Sequence, residues 1–256
     1  MSKELIEVSG LVFKQKKYKD FDVLSKIMTA ENGIFTLLIK GGLKPKSRLL
    51  PATINFSYGN YLINTNYCGL SVLRNYKVVH QLEHIYFDFK GNAYANYLLD
   101  LVDHAYADYQ PLGKNYYLVF NALVKINEGI DNEIICDMVE LKLISDFGTM
   151  PEFRHCVFCD ASQGIFDFSL QLGGIVCKNH FGSANTRMCL DAKTMGLIRT
   201  LALIDIQQLG QINISDNLKQ QSRKFIDILY GQYLDLHLKT KKYLKEVLGV
   251  DYIYFF

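Results

Sequence analysis

The residues whose types and spacing carry the clearest chemistry are four metal-binding side chains in two pairs. Cys156-Val157-Phe158-Cys159 is followed, after 17 residues, by Cys177-Lys178-Asn179-His180, a C-x2-C-x17-C-x2-H pattern. A two-residue gap lets each pair grip one edge of a tetrahedron, and a loop of ~15–20 residues closes the other edge. Such donors suit Zn2+, one ion per chain. Four protein ligands leave no open coordination position, so the expected role is structural and not catalytic. His180 is the expected fourth donor, with Cys189 as the alternative; packed thiols without metal are a further reading. Cys68 and Cys136 fall in an expected strand and an expected helix, and read as small buried side chains. Zinc deamination also uses a Cys-x2-Cys pair, but it needs a Pro before the first cysteine and a His-x-Glu element. Here His155 precedes Cys156, and no histidine is followed two positions on by Glu.

Other catalytic patterns are missing from the sequence. There is no phosphate-binding G-x4-G-K-[ST], no G-x-G-x2-G, no G-x-S-x-G and no H-E-x2-H. Carboxylates appear singly along expected helices, where solvated faces are their usual place. His80 and His84, four apart, read as one face of a helix. The chain is expected not to be an enzyme.

The elements that must hold these residues change character along the chain. Five β-rich runs are expected near Leu5–Phe13, Phe21–Thr29, Gly33–Lys40, Thr53–Tyr58 and Tyr61–Tyr67. Turn signals separate them, and Asn32-Gly33 and Gly59-Asn60 suit tight hairpins because Asn and Gly tolerate positive φ. Five short strands predict a small antiparallel β-barrel, the OB-fold being the commonest five-stranded answer. After Leu70 a helical period takes over, at Tyr94–Ala105, Tyr117–Ile126 and Ile134–Leu143, ending at Phe147-Gly148. Residues 152–185 are turn-rich and hold the cysteines, with Gly164–Leu170 alternating and Gly173-Gly174 as a turn. Helical spacing returns at Asp191–Ile204 and Asn217–Leu248. The expected fold is therefore multi-domain α+β: an OB-fold over residues 1–75, then an all-α domain over 76–256 with a zinc knuckle inserted at about 152–185.

Charge is unevenly placed. The chain carries +2 overall, but residues 1–80 hold 12 Lys or Arg against 5 Asp or Glu, leaving −5 on the rest. Such asymmetry suggests that the first part faces a polyanion, a solvated basic face being the alternative. Two basic clusters fall in expected loops: Lys14, Lys16, Lys17 and Lys19 with Tyr18 interleaved, then Lys40, Lys44, Lys46 and Arg48. Lysines neutralise phosphates without reading bases, and an aromatic such as Tyr18 can stack on a base. The Gly41-Gly42 amides and the Ser47 hydroxyl could add phosphate contacts. RNA is a competing ligand, and a zinc hydrolase a more distant alternative. No run reaches the ~18 apolar residues of a membrane span. The N-terminus lacks the apolar stretch of a signal peptide, so the chain is expected to stay in the cytosol with reduced thiols.

Taken in order, these motifs resemble the RecO family. Gly10-Leu11-Val12 through Lys19 is similar to its opening. Thr29-x-Glu31-x-Gly33, followed by Lys40-Gly41-Gly42-x-Lys44-Pro45-Lys46-Ser47, resembles its T-x-E-x-G and K-G-x4-K-S run. Asn96–Asp108, Phe147-Gly148-x2-Pro151, Gly173-Gly174-x2-Cys177 and the basic Leu238–Lys242 continue the match across nearly the whole chain. One departure is His180, where family members with a metal site usually place Cys. Some members lack the cysteines, which implies that metal is not essential to activity. The resemblance implies binding of single- and double-stranded DNA and annealing of complementary strands. It also implies partnership with RecR and help for RecA in displacing single-strand-binding protein.

Overall fold

The computed structural model describes residues 4–234 and 236–249. Five strands form a closed barrel: β1 (Glu4–Tyr18), β2 (Asp22–Thr29), β3 (Gly33–Ile39), β4 (Ser57–Thr65) and β5 (Ser71–Gln81), in the order β1-β2-β3-β5-β4. Four pairings are antiparallel, and the barrel closes through a short parallel contact between β3 and β5 at Leu37–Ser71 and Leu38–Val72. Strand β1 is long enough to serve two neighbours. Its residues Glu4–Val12 pair with β4, and Gly10–Tyr18 pair with β2, with a bulge at Lys14, whose φ is +52°. A bulge bends and twists a strand, which lets one strand turn a barrel corner. Alternation supplies the interior: Val8, Val12, Val23, Ile27, Phe35, Leu37, Tyr61, Ile63 and Leu73 pack inside, and Ala52 joins them from a 3-10 turn at Leu50–Thr53.

The barrel was legible, but its strand list was not. Thr53–Tyr58 and Tyr61–Tyr67 are not two strands; Ser57–Thr65 runs through as β4, and Gly59-Asn60 is no hairpin. A Cβ at Gly59 would lie 2.0 Å from the Val78 carbonyl oxygen, so glycine there permits close approach to β5, next to a register shift. The true fifth strand, β5, carries little signal in the sequence because from Arg74 onward it has no fully buried residue, so pairing to β4 holds it more than core burial does. His80 therefore sits on a strand and His84 on a helix, not together on one helix face. Cys68 lies exposed between β4 and β5 instead of buried in a strand. The Asn32-Gly33 hairpin is present: Thr29 pairs with Gly33, whose φ is +71°.

The helices are α1 (Glu83–Phe87), α2 (Phe89–Ala105), α3 (Lys114–Asn127), α4 (Asn132–Leu143), α5 (Ala192–Leu203), α6 (Asp216–Tyr233) and α7 (Lys239–Leu248). Asp88, Asp131 and Asp191 each cap the N-terminus of the helix that follows, accepting two backbone N–H bonds. The expected helix over 217–248 is two, parted after Tyr233. A two-stranded ribbon, β6 (Phe166–Ser169) with β7 (Gly174–Cys177), lies between α4 and α5, its turn carried by Gly173 at φ +66°. Every residue of β6 and β7 is buried, so the expected one-sided alternation does not describe them.

The chain divides into two compact units, residues 1–129 with 238–256, and residues 130–237. The barrel is thus grouped with α1, α2, α3 and α7, where the sequence reading placed one break at residue 75. The first unit carries 19 Lys or Arg against 13 Asp or Glu, net +6, and the second 9 against 13, net −4.

Candidate metal centre and nucleic-acid interface

In the second unit Cys156, Cys159, Cys177 and His180 converge, with one donor atom from each lying within 4.8 Å of all the others. Cys159 Sγ is 3.6 Å from Cys177 Sγ, and His180 Nδ1 is 3.3 Å from Cys177 Sγ and 3.9 Å from Cys156 Sγ. A zinc–sulfur bond of about 2.3 Å implies tetrahedral edges of about 3.8 Å. The donor set therefore fits a tetrahedral ion in size and chemistry, with His180 entering through Nδ1.

Local backbone chemistry makes this arrangement. The Cys156 amide donates to the Ala161 carbonyl at 2.8 Å, and Asp160 adopts a left-handed φ of +59°, folding the first pair into a tight knuckle. Cys177 ends β7 directly opposite Phe166, and a 3-10 turn over Lys178–His180 swings the imidazole back. Burial works against charge on Cys156. Backbone N–H groups of Cys177, Phe158 and Cys159 nevertheless point at its sulfur and bring the thiol down to about 6. Phe158 stacks on His180 with ring centroids 5.3 Å apart.

Cys189 is not part of this group. Its amide donates to Asp167 Oδ2 at 2.9 Å, and its exposed thiol faces the Arg187 carbonyl oxygen at 3.8 Å. Asp167, buried on β6, also accepts from the Leu190 amide and from Arg187 Nη1 at 2.9 Å, so it straps residues 187–190 to the ribbon. Arg199 on α5 covers the Phe166 ring at 4.2 Å and donates to the carbonyls of Phe153, Arg154 and Ser162. Sequence reasoning missed both residues. A lone Asp in a strand and a lone Arg in a helix carry no local signal.

The single carboxylates expected on solvated helix faces include two that are fully buried. Asp137 and Glu140 on α4 both pair with Arg223 on α6, Asp137 at 2.8 Å, and Ser222 Oγ donates to Asp137 at 2.7 Å. Burial pushes Asp137 up to about 7 against the opposing pull of Arg223. These bonds all run between α4 and α6, which makes the cluster a lock between the two helices.

In the first unit the two expected basic clusters come together at one end of the barrel. The Leu43 amide donates to the Phe21 carbonyl at 2.9 Å, and the Gly41 amide to Asp22 Oδ1 at 2.7 Å. These bonds tie the loop after β3 to the tip of the β1–β2 hairpin. Lys16, Lys17, Lys19, Lys40, Lys44, Lys46 and Arg48 are all exposed. Three details differ from expectation. Lys14, Lys16 and Lys17 stand on strand β1, not in a loop, so Lys16 and Lys17 face opposite sides. Lys14 turns to α2, 3.2 Å from Asp100 and 3.1 Å from Asp103. The Gly41 and Gly42 amides are engaged internally, with Asp22 and with the Ile39 carbonyl, and do not project toward a phosphate.

Comparison with known proteins covers nearly the whole chain. The family model "Recombination protein O N terminal" matches residues 1–82, and "Recombination protein O C terminal" matches residues 86–242. The chain is 50% identical over 247 residues to the DNA repair protein RecO of Lactobacillus helveticus, covering 96% of this chain and 99% of that one. It is 47% identical to the Lactobacillus acidophilus protein of the same name, with the same coverage. It is 34% identical to that of Enterococcus faecalis, over 94% of this chain and 92% of the relative. Among the described residues no helix is long and apolar enough to cross a membrane.

Proposed function

The chain belongs to the RecO family of DNA repair proteins, and on that premise we propose that it is a cytoplasmic, nucleoid-associated recombination mediator that holds DNA at the basic end of its barrel. The family consists of recombination proteins and not enzymes. In this reading the chain binds single and double strands, anneals complementary strands, and with RecR helps RecA load onto DNA coated by single-strand-binding protein.

The observation that carries the DNA contact is the junction of Leu43 with Phe21, which brings the tip of the first lysine run together with the second run at one end of the barrel. Lysines meet phosphates as point charges, so the grip is indifferent to sequence. Two neutralised strands can then approach each other closely enough to pair. Cys156, Cys159, Cys177 and His180 would hold one Zn2+, which supplies a cross-link between the knuckle and the end of β7.

The test is an annealing assay with complementary labelled oligonucleotides at low salt. The protein should accelerate pairing, and Lys44→Ala, Lys46→Ala and Arg48→Ala together should slow it while flattening the slope of log affinity against log salt by roughly two. Lack of acceleration by the unmodified chain sinks the mediator reading. Equal competition by unlabelled RNA would favour an RNA-binding barrel instead.

A further inference from the structure

Helices α1, α2 and α7 carry four aromatic side chains that stand in solvent with no core to serve. Tyr86 and Phe87 end α1 at 47% and 81% exposure, and Phe89 opens α2 at 63%. Tyr243 on α7, 46% exposed, meets Phe89 edge to face at 6.3 Å between ring centroids, and Tyr86 meets Phe87 at 5.2 Å. Rings left so bare are costly in water and mark a surface that something covers.

The surrounding charge says what covers it. Helix α7 buries Leu244 and lays Lys241 over the Tyr97 ring, which leaves Lys239, Lys242 and Tyr243 exposed along one face at helical spacing. Lys90, beside Phe89, is exposed as well. Asp88, beside Phe89, is engaged in capping α2, and the exposed acids on α1 and α7 are Glu83 and Glu246, against Lys90, Lys239 and Lys242. Protein-docking surfaces are depleted in lysine. Moreover, every large exposed hydrophobic residue on α1, α2 and α7 is aromatic, and none is aliphatic. Bare rings interleaved with ammonium groups are what unpaired bases and their phosphates require.

We infer that the Tyr86–Phe89 turn and Tyr243 form a stacking surface for unpaired bases of a single DNA strand, whose phosphates meet Lys90, Lys239 and Lys242. This rests on the reading of the chain as a DNA-binding protein and adds a second aromatic surface to the rings, Tyr18 and Phe21, at the basic end of the barrel. Lysines alone grip single strand and duplex alike, whereas a duplex keeps its base faces stacked and offers none to a ring. The surface therefore confers preference for single strands.

The chain contains no tryptophan, so Phe87→Trp installs a single indole reporter. An oligothymidylate should quench it on binding, and a duplex of equal length should not. Phe87→Ala with Phe89→Ala should weaken oligothymidylate binding about tenfold or more, with duplex affinity and the salt slope unchanged. Fluorescence that stays constant while anisotropy of a labelled oligothymidylate reports binding would overturn the stacking surface and leave the barrel reading standing. Absence of all DNA binding by the unmodified chain would remove both.

Discussion

The two units use charge in opposite ways. In the unit of residues 130–237, ionised and ionisable groups point at one another: four donors surround one point, and Arg223 sits between two buried carboxylates. In the barrel's unit, exposed lysines crowd one end and outnumber the acids near them. Inward charge is satisfied by the protein and so holds it together. Outward charge of one sign has no ion-pair partner among the described residues, and so recruits a polyanion. Removing an inward group should cost stability, and removing an outward one should cost binding.

The largest expected effect is on the metal centre. Cys177→Ser, or chelation, should abolish binding of one zinc per chain and loosen residues 152–190, because ligand assembly is coupled to local folding. Elemental analysis with hydrogen exchange reads both, and DNA affinity at the barrel should change little. Zinc retained by Cys177→Ser but lost by Cys189→Ser would break the assignment of ligands.

Next comes the lock between α4 and α6. Arg223→Met leaves two buried carboxylates unpaired, and should cost about 3–5 kcal/mol in urea unfolding without altering the salt dependence of DNA binding. Asp137 adds a pH signature. Its folded value, about 7, lies above the ordinary 3.8, so the folded state binds the extra proton between those values. Its contribution is therefore full at low pH and declines as pH rises from about 4 to about 7. Asp137→Asn should flatten that part of the stability profile; an unchanged profile would place the proton elsewhere.

The smallest effect separates the lysines from one another. Lys14 is paired with Asp100 and Asp103 at a partly exposed site, so Lys14→Ala should cost at most about 1 kcal/mol of stability. Its effect on the salt slope of DNA binding should be smaller than that of Lys44→Ala. Equal slopes for the two would mean that Lys14 leaves its carboxylates when DNA arrives.

Legibility followed the range over which each feature is encoded. The metal centre was readable because its ligands come in pairs with two residues between them, and such spacing fixes donor geometry through the local backbone alone. The barrel was readable as a class from alternation and turn residues, yet β5 was missed. From Arg74 onward none of its residues is buried, and that part is defined by its pairing to β4. The buried Asp137, Glu140 and Arg223 were invisible for a related reason. A carboxylate on a helix looks solvated until the partner, more than 80 residues later in the chain, is placed against it.

By itself the sequence determined which residues can ligate a metal, that a barrel precedes helices, and that positive charge gathers near the N-terminus. Only the tertiary structure decided where that charge acts. It joined the hairpin tip to the loop after β3, and it withdrew Lys14 into pairs with α2. It also returned α7 to the barrel's unit, although that helix lies in the half of the chain whose net charge is negative. Spacing along a chain fixes geometry only over a turn or a knuckle, whereas a charged surface is a sum over groups that folding brings together from distant positions.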